Sequence, residues 1–111
     1  MSAISGETLL RSGVIAADDS VPAVAQAAVD LTGSPFATLA FSVAGTTPSF
    51  TVYPLLWNTL LDKYVRGDAY TITADTEVNI AVNGTVDFYI YVSAVSGDDA
   101  AMDVSIKPAL L

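Results

Sequence analysis

Residues 70–95, YTITADTEVNIAVNGTVDFYIYVSAV, carry the pattern that decides the fold. On either side of Asn83-Gly84, apolar residues alternate with polar, small or aromatic ones. The apolar positions are Val78, Ile80 and Val82 before the turn and Val86, Phe88, Ile90 and Val92 after it. A period of two turns one side of a strand toward a core and the other side outward. The sequence therefore predicts two β-strands here.

The connection between these two strands is predicted from their pairing. Asn-Gly favours a two-residue turn, but that turn would set Ile80 opposite Asp87. A three-residue loop, residues 83–85, instead sets Ile80 opposite Phe88. Because a shift of one residue turns a whole strand face over, we expect a β-hairpin with the longer loop.

Short strands separated by turn signals extend over the rest of the chain. Further strands are expected near residues 9–16, 26–31, 36–43, 49–56, 70–73 and 101–107. Segment 55–64 is the least strand-like and is predicted to be a short helical turn or a long crossing loop. The pattern indicates an all-β protein, an antiparallel β-sandwich of jelly-roll or Ig-like outline with seven or eight strands.

The chain is predicted to divide into an extended N-terminal arm, residues 1–20, and a β-sandwich domain, residues 21–111. The arm is either a frayed terminus or a segment that pairs with a neighbouring subunit. Leu9 and Leu10 favour the second alternative, because a free tail has little reason to be apolar.

Composition points to contacts with other molecules. Among 111 residues, 52% are hydrophobic and only 14% are charged, whereas about 45–50% and about 25% are usual. One small domain has few charges here with which to cover its surface. We therefore expect that part of the apolar surface is buried in a homo-oligomer, such as a trimer, or on a larger assembly.

Charge and residue types exclude several classes of function. A formal net charge of −8 argues against binding to nucleic acid or to anionic membranes. The chain contains no histidine and no cysteine, so a nucleophilic triad and a zinc site lack their usual groups. We expect no enzymatic activity and no cofactor. The first residues lack the pattern of a signal peptide, which predicts synthesis in the cytoplasm.

The aromatic residues are the best candidates for a functional surface. Tyr89 and Tyr91 fall on the strand face opposite Phe88 and Ile90. They could form a subunit contact, where tyrosine is enriched, belong to a second packed layer, or stack against a sugar. The predicted contact residues are Leu9, Leu10, Trp57, Tyr89 and Tyr91.

Four runs of sequence resemble a known class of protein. They are SFTVYPLLWN (49–58), YVRGDAYTI (64–72), VNGTVDFYIYVSAVSG (82–97) and SIKPA (105–109). In style, residues 36–109 are similar to the small β-sandwich structural proteins of tailed-bacteriophage virions.

The resemblance implies a non-enzymatic head decoration or cement protein, located in the virion, that oligomerises and docks on the major capsid protein. The alternative is a fibre, tail or carbohydrate-binding module that uses exposed aromatic residues.

Overall fold

A computed structural model describes residues 8–11 and 29–109, and these residues form an antiparallel all-β fold. The strands are β1 (Thr8–Arg11), β2 (Phe36–Asn58), β3 (Lys63–Arg66), β4 (Tyr70–Ile72), β5 (Thr76–Ala81) and β6 (Phe88–Ala109). Every strand pair is antiparallel. The predicted all-β, antiparallel class is confirmed. The described part of the chain has no helix of the length and apolarity that crossing a bilayer would take.

The sheet is built on one ribbon, formed by the two long strands β2 and β6. Their pairing runs from Phe36 opposite Ala109 to Leu56 opposite Phe88. On its other edge, β2 pairs with β5 along its first half and with β4 and β3 along its second half. The remaining strand, β1, pairs with the C-terminal half of β6.

This ribbon has to curl. A straight strand of 23 residues, the length of β2, would span roughly 75 Å, but the longest dimension of the molecule is 39 Å. The pairing register shifts repeatedly between Ala44 and Ser49, which locates the bend. Phe41 and Val104 before the bend and Phe50 and Val92 beyond it belong to one buried cluster, so the curled sheet encloses its own core.

Two glycines shape the bend from opposite strands. Gly45 and Gly97 have φ values of +119° and +103°, a region that L side chains rarely adopt. An added Cβ would lie 2.8 Å from the Asp99 carbonyl oxygen at Gly45 and 2.7 Å from the Thr47 carbonyl oxygen at Gly97. The two strands therefore cross the bend only because no side chain is present at either position.

The bend explains why the described residues form fewer strands than the seven or eight predicted for the chain. The turn signals at 44–48 and 96–99 are present, but they produce facing bulges inside β2 and β6 instead of loops. The segments expected as separate strands, 36–43 with 49–56 and 86–95 with 101–107, are consequently merged in pairs. The described residues form six strands.

The predicted hairpin across Asn83-Gly84 is wrong, although its burial pattern is largely right. Ile80 pairs with Ala37 of β2, and Phe88 pairs with Leu56 of the same strand. Both residues are buried as expected, whereas Val86 is exposed. Alternation determines which side of a strand is buried, but it does not determine which strand completes the ladder. Here β2 lies between the two strands that were expected to pair.

Segment 55–64 is neither a helical turn nor a crossing loop. It is a hairpin in which β2 ends at Asn58, β3 begins opposite it at Lys63, and four residues form the tip. Asn58 Oδ1 accepts a hydrogen bond of 2.9 Å from Leu61 N. Asp62 takes a positive φ of 56°, which aspartate tolerates better than most residues.

The N-terminal segment pairs with its own sheet where the structure describes it. Thr8 lies opposite Ile106 of β6, and Leu10 is buried in the main core, while Leu9 is 58% exposed. Within the described residues, β1 is thus an edge strand of the chain's own sheet. The remainder of the predicted arm and of the strand at 9–16 lies outside the described residues, as do residues 26–28 of the strand predicted at 26–31.

We expect Gly45→Ala and Gly97→Ala each to lower the free energy of unfolding by about 2–4 kcal/mol, through backbone strain and close contact with carbonyl groups. Gly33→Ala is the matched control, since Gly33 also has a positive φ but open space around it. It should cost about 1 kcal/mol. Urea denaturation measures all three, and equal losses would show that the close contacts at the bend do not matter.

We expect Leu10→Ala to lower the free energy of unfolding by about 2–4 kcal/mol, because it empties a place in the core. The neighbouring change Leu9→Ala should alter stability by less than about 0.5 kcal/mol. Thermal and urea denaturation compare the two variants with the wild-type protein. Similar small effects would mean that β1 does not contribute to the folded chain.

Candidate functional site

Strands β6, β2 and β3 bring aromatic side chains together on the side of the sheet that faces away from the main core. Tyr53 lies opposite Tyr91, and Trp57 lies opposite Tyr64. Leu55 lies between Tyr89 on one side and Arg66 on the other. Because directly paired residues share a face, these side chains form one surface. We call it the aromatic face: Tyr53, Leu55, Trp57, Tyr64, Arg66, Tyr89 and Tyr91.

The rings of the aromatic face pack mainly edge to face. The Tyr64 ring lies 5.1 Å from Trp57 at 76° and 5.3 Å from Tyr89 at 90°. Tyr53 and Tyr91 are 6.1 Å apart at 32°. These are ordinary distances for favourable aromatic pairs. Each of the five rings remains half-buried, so the side chains shield one another incompletely.

Leu55 shows that the aromatic face is a small apolar layer of its own. Its side chain is buried, with 3% exposed, yet it is not part of the main core cluster. The neighbours on its own face are what can cover it. The face thus combines a second packed layer with ring surface that is still open, two alternatives that the sequence left separate.

Arg66 lies over two of the rings. Its guanidinium carbon is 4.6 Å from the centroid of Tyr53 and 5.0 Å from that of Tyr91, within the range of cation–π attraction. Within residues 8–11 and 29–109, the guanidinium has no carboxylate at salt-bridge distance and no hydrogen-bond acceptor. The residue is exposed. The face therefore carries a positive charge in an acidic protein.

Thr85 and Asp87 fix the β2–β3 hairpin to the loop before β6. Trp57 N donates to the Asp87 carbonyl at 3.1 Å and to Thr85 Oγ1 at 3.2 Å. The Tyr64 hydroxyl donates to Asp87 Oδ2 at 3.0 Å. Burial and this bond to the Asp87 carboxylate raise the pKa of Tyr64. Asp87 Oδ1 is buried and has no hydrogen-bond partner among the residues that the structure describes, so within this part of the chain the Tyr64 hydroxyl is the side-chain donor to the carboxylate.

The same hairpin exposes apolar side chains at its tip. Leu60 is 92% exposed and Leu61 is 54% exposed, and Val65 is exposed on the side of β3 opposite the aromatic face. In the described residues, the other large apolar side chains that are exposed are Leu9 and Val86. The apolar surface available for contacts is therefore concentrated on this hairpin.

The structure separates the predicted contact residues into two places. Trp57, Tyr89 and Tyr91 share the aromatic face, whereas Leu9 and Leu10 lie on β1 beside the C-terminal half of β6. Leu10 is enclosed in the chain's own core, which leaves Leu9 as the residue of that pair that a neighbour could reach.

Sequence reasoning did not place Arg66 or Asp87 beside these rings. Arg66 reaches the rings because β3 folds back on β2. The sequence did not predict this hairpin, because the apolar residues of segment 55–64 do not alternate as in a strand. The alternation of Tyr53 and Trp57 in β2 was a usable signal, but it had to be combined with the pairing of β2 and β6.

The acidic groups form no evident site. Asp75 accepts a hydrogen bond of 2.8 Å from Val43 N, which is a structural role. No group of three or more metal-ligating side chains that could hold an ion occurs in the part of the chain that the structure describes.

Comparisons with protein-family models, with curated proteins and with solved structures found no match to this chain. The resemblance to virion proteins therefore stays a prediction.

We expect Tyr64→Phe to lower the free energy of unfolding by about 1–2 kcal/mol at pH 7, because the Asp87 carboxylate loses its donor. The raised pKa predicts that wild-type stability falls as pH rises above about 10, where tyrosine ionises in the unfolded chain. The variant lacks this contribution, so the difference between the two proteins should shrink above that pH.

Denaturation at pH 7 to 11.5 measures the effect. Tyr70→Phe is the control, because the Tyr70 side chain packs on the main core and its hydroxyl has no hydrogen bond within the described residues. A constant difference between wild type and Tyr64→Phe across this range would contradict the assigned bond.

Proposed function

We propose that this chain is a non-enzymatic structural protein of a virion, a capsid decoration or cement protein. It associates with copies of itself, for example as a trimer, and docks on the major capsid protein. The observation that carries the proposal is the aromatic face, with the apolar hairpin tip beside it. Tyrosine, tryptophan and arginine are the residues that contribute most to protein–protein binding energy.

The packing of the rings supports a protein partner. A flat partner such as a sugar ring needs the open side of an aromatic ring, but Tyr64 meets both Trp57 and Tyr89 edge to face. An uneven, partly packed surface with an exposed leucine tip fits another protein better, because side chains from both partners can interlock.

The proposed role also requires that binding to the shell increases the stability of a protein that is already folded. A cement protein has to remain folded alone and then gain further stabilisation on the assembled shell through linkage. We propose in addition that the two halves of the curled ribbon face each other as the layers of a sandwich. The shared core cluster, with Phe41 on one side of the bend and Phe50 on the other, supports this arrangement.

A fibre, tail or carbohydrate-binding module is the second candidate. The half-buried Trp57 ring favours it, since part of the ring remains open for stacking against a sugar. Binding to a glycan array and quenching of tryptophan fluorescence by the glycans that bind would support this candidate.

Self-association provides the first test. We expect the double variant Trp57→Ser, Tyr89→Ser to weaken oligomer formation by roughly 30-fold or more, the effect of losing a central contact. Val86→Ser, which removes an exposed apolar side chain outside the aromatic face, should leave association unchanged. Size-exclusion chromatography with light scattering measures both, and circular dichroism verifies folding. A wild-type protein that stays monomeric up to millimolar concentration would contradict self-association.

The virion assignment has a separate test. Antibodies against the chain should label the outside of particles purified from the host that expresses it, and mass spectrometry should find the chain in them in stoichiometric amounts. Particles free of the chain would contradict the assignment.

A further inference from the structure

The position of Arg66 distinguishes it from an ordinary surface arginine. The chain has 12 acidic and 4 basic residues, so an exposed arginine would normally find a carboxylate nearby. Arg66 instead lies over the rings of Tyr53 and Tyr91, and none of its guanidinium N–H groups meets an acceptor within the described residues. Its charge is thus held over the rings, and no carboxylate of residues 8–11 and 29–109 neutralises it.

Contact with two rings restricts the motion of the guanidinium without occupying its hydrogen-bond donors. Cation–π attraction acts on the positive charge, whereas the N–H donors remain available for an acceptor. A guanidinium presents its donors as a planar fork that matches a carboxylate, with two parallel hydrogen bonds. Since the side chain is already positioned, less conformational entropy is lost when such a group binds.

We propose that Arg66, held over the rings of Tyr53 and Tyr91, is a binding site for a carboxylate. We call these three residues the carboxylate seat, and we propose that its occupant is an Asp or Glu side chain of the protein that covers the aromatic face. The inference rests on the proposed contact function of that face and adds the chemistry of the partner. Around the seat, ring surface and Leu55 favour apolar neighbours of that carboxylate.

The electrostatics of the chain restrict where a carboxylate of a partner can bind. A net charge of −8 repels an acidic partner at long range, so an acidic side chain is accepted only where a local positive charge offsets this repulsion. Among the described residues of the aromatic face, Arg66 is the cation that can do so. The seat therefore sets the orientation of the partner, because other contacts of the face with a carboxylate would be unfavourable.

A titration of the isolated protein tests the seat without requiring assembly. The probe is sodium acetate, followed through the Nε–H resonance of Arg66 in nitrogen–proton spectra, with sodium chloride at matched ionic strength as the reference. We expect saturable shifts with a Kd of roughly 10–100 mM, as one pair of charge-assisted hydrogen bonds supports. Shifts equal to those with sodium chloride would overturn the proposal.

Two further measurements identify which groups the seat requires. The double variant Tyr53→Leu, Tyr91→Leu keeps Arg66 and apolar surface but removes the rings, and it should bind acetate roughly tenfold more weakly. Unchanged affinity would show that the rings do not form the seat. Acetamide, the neutral isostere of acetate, should bind much more weakly than acetate, because its charge-assisted hydrogen bonds are lost, and equal affinity would overturn a carboxylate as the occupant.

Variants of Arg66 distinguish failure of the carboxylate seat from failure of the proposed contact function. If Arg66→Gln and Arg66→Lys both leave self-association and docking intact while Trp57→Ser, Tyr89→Ser abolishes them, the aromatic face is a contact surface and the carboxylate seat is wrong. We expect Arg66→Gln to weaken association roughly tenfold or more, and Arg66→Lys to restore it incompletely, since lysine keeps the charge but lacks the planar fork.

Discussion

The long antiparallel pairing of β2 with β6 is the constraint on which the rest of the structure depends. Two strands of 23 and 22 residues cannot remain straight in a molecule of this size, so the ribbon has to bend at its middle. The bend needs backbone conformations that Gly45 and Gly97 can adopt. Once the ribbon is curled, both of its halves contribute to one core, and the shorter strands complete its edges.

The aromatic face is a consequence of the same pairing. Beyond the bend, the residues of β2 and β6 that do not face the core must face outward, and several of them are aromatic. These aromatic side chains expose less apolar surface to water because the rings pack on one another and on Leu55. The β2–β3 hairpin adds Tyr64 and Arg66, and Asp87 binds that hairpin to the sheet. Contacts within the chain thus hold the rings and the guanidinium in place.

The apolar excess of the composition is distributed unevenly. Most large apolar side chains in the described residues are inside the chain's own core, and the exposed ones are concentrated on one hairpin. In the described residues, the exposed apolar surface is therefore local and not spread over the exterior.

The alternation of apolar residues within each strand determined the all-β fold class and much of which side chains are buried. The alternation around Ile80, Phe88 and Ile90 is a property of each strand alone, because side chains on a pleated strand point to alternate sides whatever strand lies next to it. For the same reason, Tyr89 and Tyr91 could be assigned to an outward face. The turn signals at Gly45 and Gly97 were also local and correctly placed, since they reflect the φ values that glycine permits.

Tertiary structure decided what those local elements pair with. Whether a glycine-containing segment ends a strand or bends it depends on the strand beside it, and β6 bulges where β2 does. The insertion of β2 between β5 and β6 likewise depends on contacts between residues far apart in the chain. The candidate site combines β2, β3 and β6 with Asp87, so its composition followed from that pairing. Arg66 meets Tyr53 and Tyr91 because three strands lie side by side, an arrangement that alternation within one strand does not encode.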